Sequence, residues 1–264
     1  MSAFRKVTRS APAKREQPNK HQTSARRSTS GAKGKAATTK ASNPTFSHLR
    51  SSVPNRKQPI MISCFDESGI MAKPWADAGY VCYVVDLQNP RGENREGNIV
   101  RVGANMLDWL PPKGDIRFAA YFPPCTDVAV SGARWFPEKG LGSVQRTIEL
   151  FKRSVDFAEM IGCPYIIENP SSVVSTHWRR PDFSFHPCDY GDEYLKRTFL
   201  WVGGGFIMPR KVPVKPVKGM MLYWLPPSPD RSKLRSKTPP GFAKAVFGAN
   251  AQPTIWRPGV QKKK

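Results

Sequence analysis

Acidic residues are scarce in this sequence of 264 residues, which has 20 Asp and Glu against 42 Lys and Arg and a formal net charge of +22. The imbalance is strongest in residues 1–59, which contain 14 Lys and Arg and a single acid, Glu16. A basic excess of this size says little about the fold, but it predicts a polyanionic partner, most simply a nucleic acid. The alternative is that the charge only keeps the chain soluble.

Cysteine is also sparse. The five cysteines are widely spaced, odd in number and without a CxxC pair, which argues against a disulfide framework and against a zinc site. They are Cys64, Cys82, Cys125, Cys163 and Cys188. His186 and Cys188 have a spacing that suits a metal, but no second pair lies near them in the sequence, so we expect no bound metal. The cysteine pattern predicts a reducing, intracellular compartment.

Long hydrophobic runs are missing as well. No stretch approaches the roughly 20 apolar residues that a membrane-spanning helix needs, so no membrane partner is expected. The N-terminus lacks the apolar block of a secretory signal. Its composition, rich in Arg and Ser and poor in acids, is equally that of an organelle transit peptide.

The composition divides the chain into three parts. Residues 1–58 are rich in Ser, Ala, Thr, Lys and Arg and lack the apolar spacing of a core, which predicts a disordered basic tail. Residues 59–252 carry the apolar runs of a folded domain. A second short basic tail is expected at 253–264, which ends in QKKK.

Short apolar runs alternate with helical patterns through the central part. The runs at 60–65, 81–86, 116–122 and 164–169 read as buried strands. Apolar residues recur at helical spacing between them, most clearly over 143–162, with Ser143 and Gly162 as candidate caps. This alternation predicts an α/β fold around a mostly parallel, doubly wound sheet.

Polar and reactive residues follow the predicted strands at the points where the strands end. These are Asp66, Glu67, Ser68, Asp86, Cys125 and Glu168. Because the carboxyl ends of parallel strands meet at one edge of a sheet, and ligands bind there, we expect these side chains to share a site.

The first strand–helix turn has features of a nucleotide site. Gly69 allows the backbone to approach a ligand closely. Asp86 ends the next strand 17 residues later, which is near the spacing of an acid that holds ribose hydroxyls. The alternative for Asp86 is a helix-capping aspartate.

Cys125 follows Pro123 and Pro124, which extend the backbone and prevent a regular helix there. The thiol is therefore expected on a stiff, accessible loop, where a nucleophilic cysteine with a lowered pKa would lie. Together with the carboxyl group of Glu168, it would attack an electron-poor ring. The alternative is a small buried cysteine without a chemical role.

The residues FPPC at 122–125 and IENP at 167–170 resemble the Pro-Cys loop and the Glu-Asn pair of the DNA cytosine-5 methyltransferases. The likeness covers about residues 60–250 and is nearest in style to compact, phage-encoded members. Weaker similarities follow in the family's order. They are SCFDESGI (63–70), YVVD (83–86), NMLDW (105–109), YLKRTFLW (194–201) and TPPGFAKAVFGAN (238–250).

The resemblance implies a Rossmann-like methyltransferase fold that moves a methyl group from S-adenosylmethionine to carbon 5 of a flipped cytosine. It assigns catalytic roles to Cys125, Glu168, Asn169 and Arg197. It assigns cofactor binding to Phe65, Asp66, Ser68, Gly69, Asp86, Asp108, Pro123 and Asn250. The implied partner is DNA, expected to be duplex and bound by a monomer.

Several positions depart from the family pattern. The first turn has fewer glycines than is usual, Thr126 replaces a common glutamine, and Pro170 replaces a common valine. Only residues 203–237 remain for target recognition, which predicts a short or relaxed recognition site. Two other functions stay open: a non-catalytic nucleic-acid-binding protein on a methyltransferase scaffold, and an RNA cytosine methyltransferase.

Overall fold

A computed structural model describes residues 58–251. The predicted tails at 1–58 and 253–264 lie outside the described residues, apart from Gln58. Eight strands are present in this part of the chain. They are β1 (Ile60–Cys64), β2 (Val81–Val85), β3 (Gly92–Glu96), β4 (Ile99–Gly103), β5 (Ile116–Tyr121), β6 (Tyr165–Asn169), β7 (Phe183–Phe185) and β8 (Thr198–Gly203).

The helices are mostly short. They are α1 (Lys73–Asp77), α2 (Phe136–Lys139), α3 (Leu141–Ile161), α4 (Val174–His177), α5 (Arg231–Ser236) and α6 (Pro240–Asn250). Two 3₁₀ helices, Val130–Trp135 and Pro187–Tyr190, complete the secondary structure of the described residues.

All eight strands form one mixed sheet in the order β3-β4-β2-β1-β5-β6-β8-β7. The pairs β4–β2, β2–β1, β1–β5 and β5–β6 are parallel, whereas β3–β4, β6–β8 and β8–β7 are antiparallel. Along the chain, β2 and β4 are added on one side of β1, and β5 is then added on the other side of β1. Strand order therefore reverses between β1 and β5, which is where open α/β sheets bind ligands.

The apolar runs predicted the central strands well. β1, β2, β5 and β6 each lie within a predicted run, and each is largely buried because both faces of the sheet are covered. The predicted arginine-bearing strand at 194–201 begins later, at Thr198, so Arg197 lies just before β8. The β3–β4 hairpin was not predicted.

The longest helix, α3, begins at Leu141, immediately after Gly140. Ser143 is therefore inside the first turn, and its hydroxyl donates to backbone carbonyl oxygens there instead of capping the helix. Gly162 ends the helix as predicted, in the left-handed conformation with φ 72°, which glycine adopts without a steric penalty.

Two apolar layers lie against the sheet. On one face, Phe151 and Phe157 of α3 pack with Ile62 and Tyr121. On the other face, α1 and α6 pack with the sheet, and Trp75 of α1 stacks on Phe118 with ring centroids 4.7 Å apart. Because helices cover both faces, ligands reach the sheet only at its edges. Within residues 58–251, no helix is long and apolar enough to cross a membrane.

Candidate active site

A cleft of ≈ 2210 Å³ opens at the carboxyl ends of the parallel strands. The residue that follows each of five strands lines it. These residues are Phe65 after β1, Asp86 after β2, Ala104 after β4, Phe122 after β5 and Pro170 after β6. The cleft therefore spans the point where strand order reverses, and it exceeds the roughly 300–1,000 Å³ typical of a site for one small molecule.

The turn after β1 is held by the buried carboxylate of Asp66. Asp66 accepts hydrogen bonds from the Ser63 hydroxyl (2.7 Å), the Ser68 hydroxyl (2.7 Å) and the backbone N–H of Gly69 (2.8 Å). These bonds use both carboxylate oxygens, so the side chains of Asp66 and Ser68 shape the turn. Gly69 has φ +66°, a conformation that other residues adopt only with strain.

Arg101 of β4 also stabilises this turn. One guanidinium nitrogen donates to the carbonyl oxygen of Glu67 over 2.9 Å. Phe65 has a positive φ of 57°, which is strained for a residue with a side chain and is characteristic of functional turns. A turn poor in glycine is thus stabilised by side chains, and its residues face the cleft.

Asp86 lies at the end of β2 with its carboxylate in the cleft. Its Oδ1 accepts a hydrogen bond from the backbone N–H of Gln88 over 2.8 Å. Burial raises the pKa of Asp86, and the nearby charges of Glu67 and Asp66 raise the pKa further. Leu87, next to it, lines the cleft and is 72% exposed. An acid and an exposed apolar side chain at a strand end suit a nucleoside.

Cys125 lies on the loop after β5 and is half-buried, whereas the other four cysteines are buried. Its carbonyl oxygen accepts hydrogen bonds from the backbone N–H groups of Val128 and Ala129. Pro123, two residues earlier, is buried and lines the cleft. The side-chain amide of Asn169 donates to the Pro123 carbonyl oxygen over 3.1 Å, which fixes the loop to β6.

Glu168 reaches the cleft from β6 and faces Lys196. The ammonium of Lys196 lies 3.7 Å from Glu168 Oε1, and both side chains are less than one-fifth exposed. Burial raises the pKa of Cys125, and the Glu168 carboxylate raises it further, while Lys196 and Arg235 oppose this change. The thiol lies on the loop that was predicted, but it is half-buried there rather than freely accessible. The predicted lowering of its pKa is wrong, because burial and a carboxylate outweigh the two cations.

Arg197 also lines the cleft, but its side chain is exposed. The guanidinium lies 5.1 Å from the centre of the Phe199 ring, a cation–π contact. The structure thus gives the Arg197 and Lys196 side chains different surroundings: Lys196 faces Glu168, and Arg197 remains available to a ligand.

Three predicted cofactor residues, Gly69, Asp108 and Asn250, are not among those that line the cleft. Asp108 is exposed, and its carboxylate accepts a hydrogen bond from the side chain of Asn105 over 3.1 Å. Asn250 ends α6, and its side chain exchanges hydrogen bonds with the backbone of Ile207. Asn105, Met106 and Leu107, rather than Asp108, are the members of this segment that line the cleft.

Sequence analysis missed most of the basic lining of the cleft. Nine Lys and Arg side chains line it: Arg134, Lys139, Arg146, Lys196, Arg197, Arg231, Lys233, Arg235 and Lys237. Four of them belong to residues 220–238, here called the strap. Lys233 of the strap forms an ion pair with Glu67 of the first turn. The Lys/Arg-rich composition of residues 231–237 could have predicted part of this basic lining.

No group of three or more His, Cys, Asp or Glu suited to a metal ion occurs between residues 58 and 251. His186 precedes a 3₁₀ helix, and its backbone N–H donates to Asp189.

Comparison with known proteins adds no assignment. Neither the models of protein families nor the curated proteins against which the chain was compared give a match.

Proposed function

We propose that this chain is an S-adenosylmethionine-dependent methyltransferase that acts on carbon 5 of cytosine in DNA, on a Rossmann-like methyltransferase fold. One observation carries the proposal. Asn169 holds the loop of Cys125 against β6, so that the thiol and Glu168 line the same cleft as the first turn and Asp86. A binding surface alone has no need of a thiol, a carboxylate and a nucleoside-type strand end in one cleft.

The residues at the first turn fit the cofactor. Asp86 would accept hydrogen bonds from the ribose hydroxyls, and Leu87 would cover one face of the adenine. The carboxylates of Asp66, Glu67 and Asp86 give this end of the cleft a negative potential, which favours the positive charges of the cofactor. When bound, S-adenosylmethionine supplies an electrophilic methyl group.

The reactive end of the cleft is formed by Cys125 and Glu168. The Cys125 thiol gives its proton to water, and its sulfur forms a bond to carbon 6 of the cytosine, so that the electron pair of the 5,6 double bond moves toward carbon 5. The Glu168 carboxyl group would take up a proton and donate it in a hydrogen bond to ring nitrogen 3, which stabilises the charge that develops. Lys196 holds the Glu168 side chain in place. Arg197 is free to contact the carbonyl oxygen of the base.

Release of the product reverses the covalent step. Once carbon 5 carries the methyl group, water takes its proton, the electron pair of that bond re-forms the 5,6 double bond, and the Cys125 sulfur leaves carbon 6 as a thiolate. The target base must lie outside a base-pair stack for this chemistry. The nine basic side chains of the cleft would hold the phosphates on either side of it.

One observation favours a second function, a nucleic-acid-binding protein without catalysis. The pKa of Cys125 is raised by burial and by Glu168, so the free thiol is mostly protonated at neutral pH and is a weak nucleophile. In the enzyme, a bound strand would have to bring Cys125 closer to Lys196 and Arg235 or remove Glu168 from its vicinity.

The test is methyl transfer from labelled S-adenosylmethionine to mixed-sequence DNA. We expect 5-methylcytosine in the digested product, and complete loss of transfer in Cys125→Ser. Cys163→Ser is the matched control, because Cys163 is buried and does not line the cleft. Wild-type protein that binds DNA but transfers no methyl group to DNA or RNA would favour the binding protein. Transfer to RNA alone would favour the RNA enzyme.

A further inference from the structure

Two tryptophans line the cleft with much of their surface in solvent. Trp135 is 45% exposed and Trp224 is 74% exposed. Large aromatic side chains are usually buried, because each removes much apolar area from water. Exposed rings inside a concave, basic cleft are therefore candidates for ligand contact.

Trp135 belongs to the segment that follows Cys125. The guanidinium of Arg134 lies 4.8 Å from the centre of its ring. Lys139, four residues later, donates to the carbonyl oxygen of Thr126 and pairs with Asp127 at 2.8 Å. These contacts tie the segment of Trp135 back to the residues next to Cys125, so Trp135 belongs to the wall beside the thiol.

Trp224 belongs to the strap. Its ring meets the Tyr223 ring edge to face, with centroids 5.0 Å apart. Arg231 of α5 donates to the carbonyl oxygen of Tyr223 over 3.1 Å, which ties the aromatic pair to α5. Arg235, also on α5, is close enough to Cys125 to lower the pKa of its thiol. The strap therefore brings Trp224 to a second wall of the same cleft.

Exposed aromatic rings that can stack on bases favour an unpaired strand over a paired one. In a duplex, neighbouring bases cover both faces of every base, and only a flipped base has free faces. A cleft built for one flipped base needs no further platforms, whereas a single strand offers a free face at each base. Arg134 lies over the Trp135 ring, Arg231 bonds to the residue before Trp224, and Arg235 lines the same cleft. These side chains would hold the phosphates between stacked bases.

We propose that the cleft binds an unpaired strand of DNA, with bases adjacent to the target cytosine stacked on Trp135 and Trp224. This rests on the proposed function, because the target is taken to be the base at Cys125. The expectation of a duplex partner is thereby replaced by single-stranded DNA. The surplus volume of the cleft accommodates the adjacent nucleotides.

The experiment measures binding of fluorescein-labelled DNA of about 12 nucleotides to the full chain. It compares the single strand, the duplex and RNA of the same sequence at about 0.15 M salt. The variants are Trp135→Ala, Trp224→Ala and Trp224→Phe, each checked by thermal unfolding. Phe183→Ala is the matched control, because Phe183 is an exposed aromatic residue (39%) that does not line the cleft. Methyl transfer to the same oligonucleotides is measured in parallel.

We expect the single strand to bind at least roughly tenfold more tightly than the duplex. Each tryptophan-to-alanine change should weaken single-strand binding by at least about fivefold, with duplex binding unchanged. Trp224→Phe should retain most of the affinity, and Phe183→Ala all of it. Duplex binding as tight as that of the single strand, or equal losses in the Phe183 variant, would overturn the proposal. RNA bound more tightly than DNA would overturn the assignment to DNA.

Methyl transfer separates this inference from the proposed function. Transfer that proceeds as well on duplex as on single-stranded DNA would overturn the inference and leave the function standing. A tryptophan-dependent preference for single strands without any methyl transfer would support the inference and refute the function.

Discussion

The side-chain amide of Asn169 donates a hydrogen bond to the carbonyl oxygen of Pro123 over 3.1 Å, and both residues are buried. This bond joins β6, which carries Glu168, to the loop that carries Cys125. The nucleophile candidate and the carboxylate candidate are therefore held together through the side chain of Asn169. We expect Asn169 to act by positioning the loop.

Asn169→Ala should release the loop of Cys125 from β6. The Pro123 carbonyl would lose its partner in a buried site, which costs about 1–3 kcal/mol of unfolding free energy. A loosened loop should make the Cys125 thiol react faster with iodoacetamide and methyl transfer slower. Since the other four cysteines are buried, alkylation reports on Cys125.

Asn98→Ala is the matched control for that change. Asn98 also donates from its side chain to a backbone carbonyl, that of Ala76 at 2.9 Å, but it does not line the cleft. Asn98→Ala should reduce stability without changing the alkylation of Cys125 or methyl transfer. Equal changes of alkylation in both variants would show that Asn169 has only a structural role.

The pH dependence of the Cys125 thiol should follow its surroundings. Burial and the Glu168 carboxylate raise its pKa above the ordinary value of 9.0, so alkylation of the free protein should still be rising with pH beyond that value. Glu168→Gln removes the negative charge, which lowers the pKa and speeds alkylation at a fixed pH near neutrality. Lys196→Met removes an opposing positive charge and should raise the pKa.

Glu149→Gln serves as the control for these pH profiles. Glu149 also lines the cleft, but its carboxylate accepts a hydrogen bond from Gln145 and is not among the groups that act on Cys125. Its profile should match that of the wild type. An unchanged profile in Glu168→Gln would contradict the electrostatic coupling between Glu168 and Cys125.

The sequence predicted the central sheet and the edge of the sheet at which the candidate site lies, for the same physical reason. Parallel strands covered on both faces are continuous apolar runs, so β1, β2, β5 and β6 were recognisable. Their carboxyl ends necessarily meet at one edge, so Asp86 and Cys125 were expected together before the structure was known. The structure confirms that both line one cleft.

Other features depend on tertiary contacts that no local pattern reports. β3 has the sequence GENRE and is exposed along its whole length, so it shows neither alternation nor an apolar run. Asp108 lies in a correctly placed segment, but its side chain is engaged by Asn105. The sequence alone could not show that Lys196, and not Arg197, faces Glu168. This depends on where β8 begins, at Thr198, and on the resulting approach of Lys196 to Glu168.

The ion pair between Lys233 and Glu67 should control the opening of the strap. It joins α5 to the first turn across the cleft, and the pKa of Lys233 is raised by its hydrogen bond to Glu67. Lys233→Met should therefore speed hydrogen exchange of the amides in residues 220–238 and speed exchange of bound cofactor. Glu67→Gln should have the same effect.

Lys73→Met provides the comparison for the strap. It breaks an exposed ion pair with Asp77 on α1, at 3.0 Å, and Lys73 does not line the cleft. Hydrogen exchange in the strap should be unaffected. Raising the salt concentration should accelerate strap exchange in the wild type, since salt screens exposed charges, and should have little effect in Lys233→Met.

Asp86 should be required for cofactor binding, and Asp108 should not. A hydrogen bond to a charged group contributes about 1.5–3 kcal/mol, so Asp86→Asn should weaken S-adenosylmethionine binding roughly 10- to 100-fold in equilibrium dialysis.

The pKa of Asp86 is raised by burial, Glu67 and Asp66. Wild-type affinity should consequently fall as pH decreases through that pKa, because protonation removes the charged acceptor. The Asp86→Asn protein should show a flatter profile. Asp108 does not line the cleft, and its carboxylate accepts a hydrogen bond from Asn105, so Asp108→Asn should bind S-adenosylmethionine as tightly as the wild type. Loss of binding in Asp108→Asn but not in Asp86→Asn would place the nucleoside beyond β4 rather than at the end of β2.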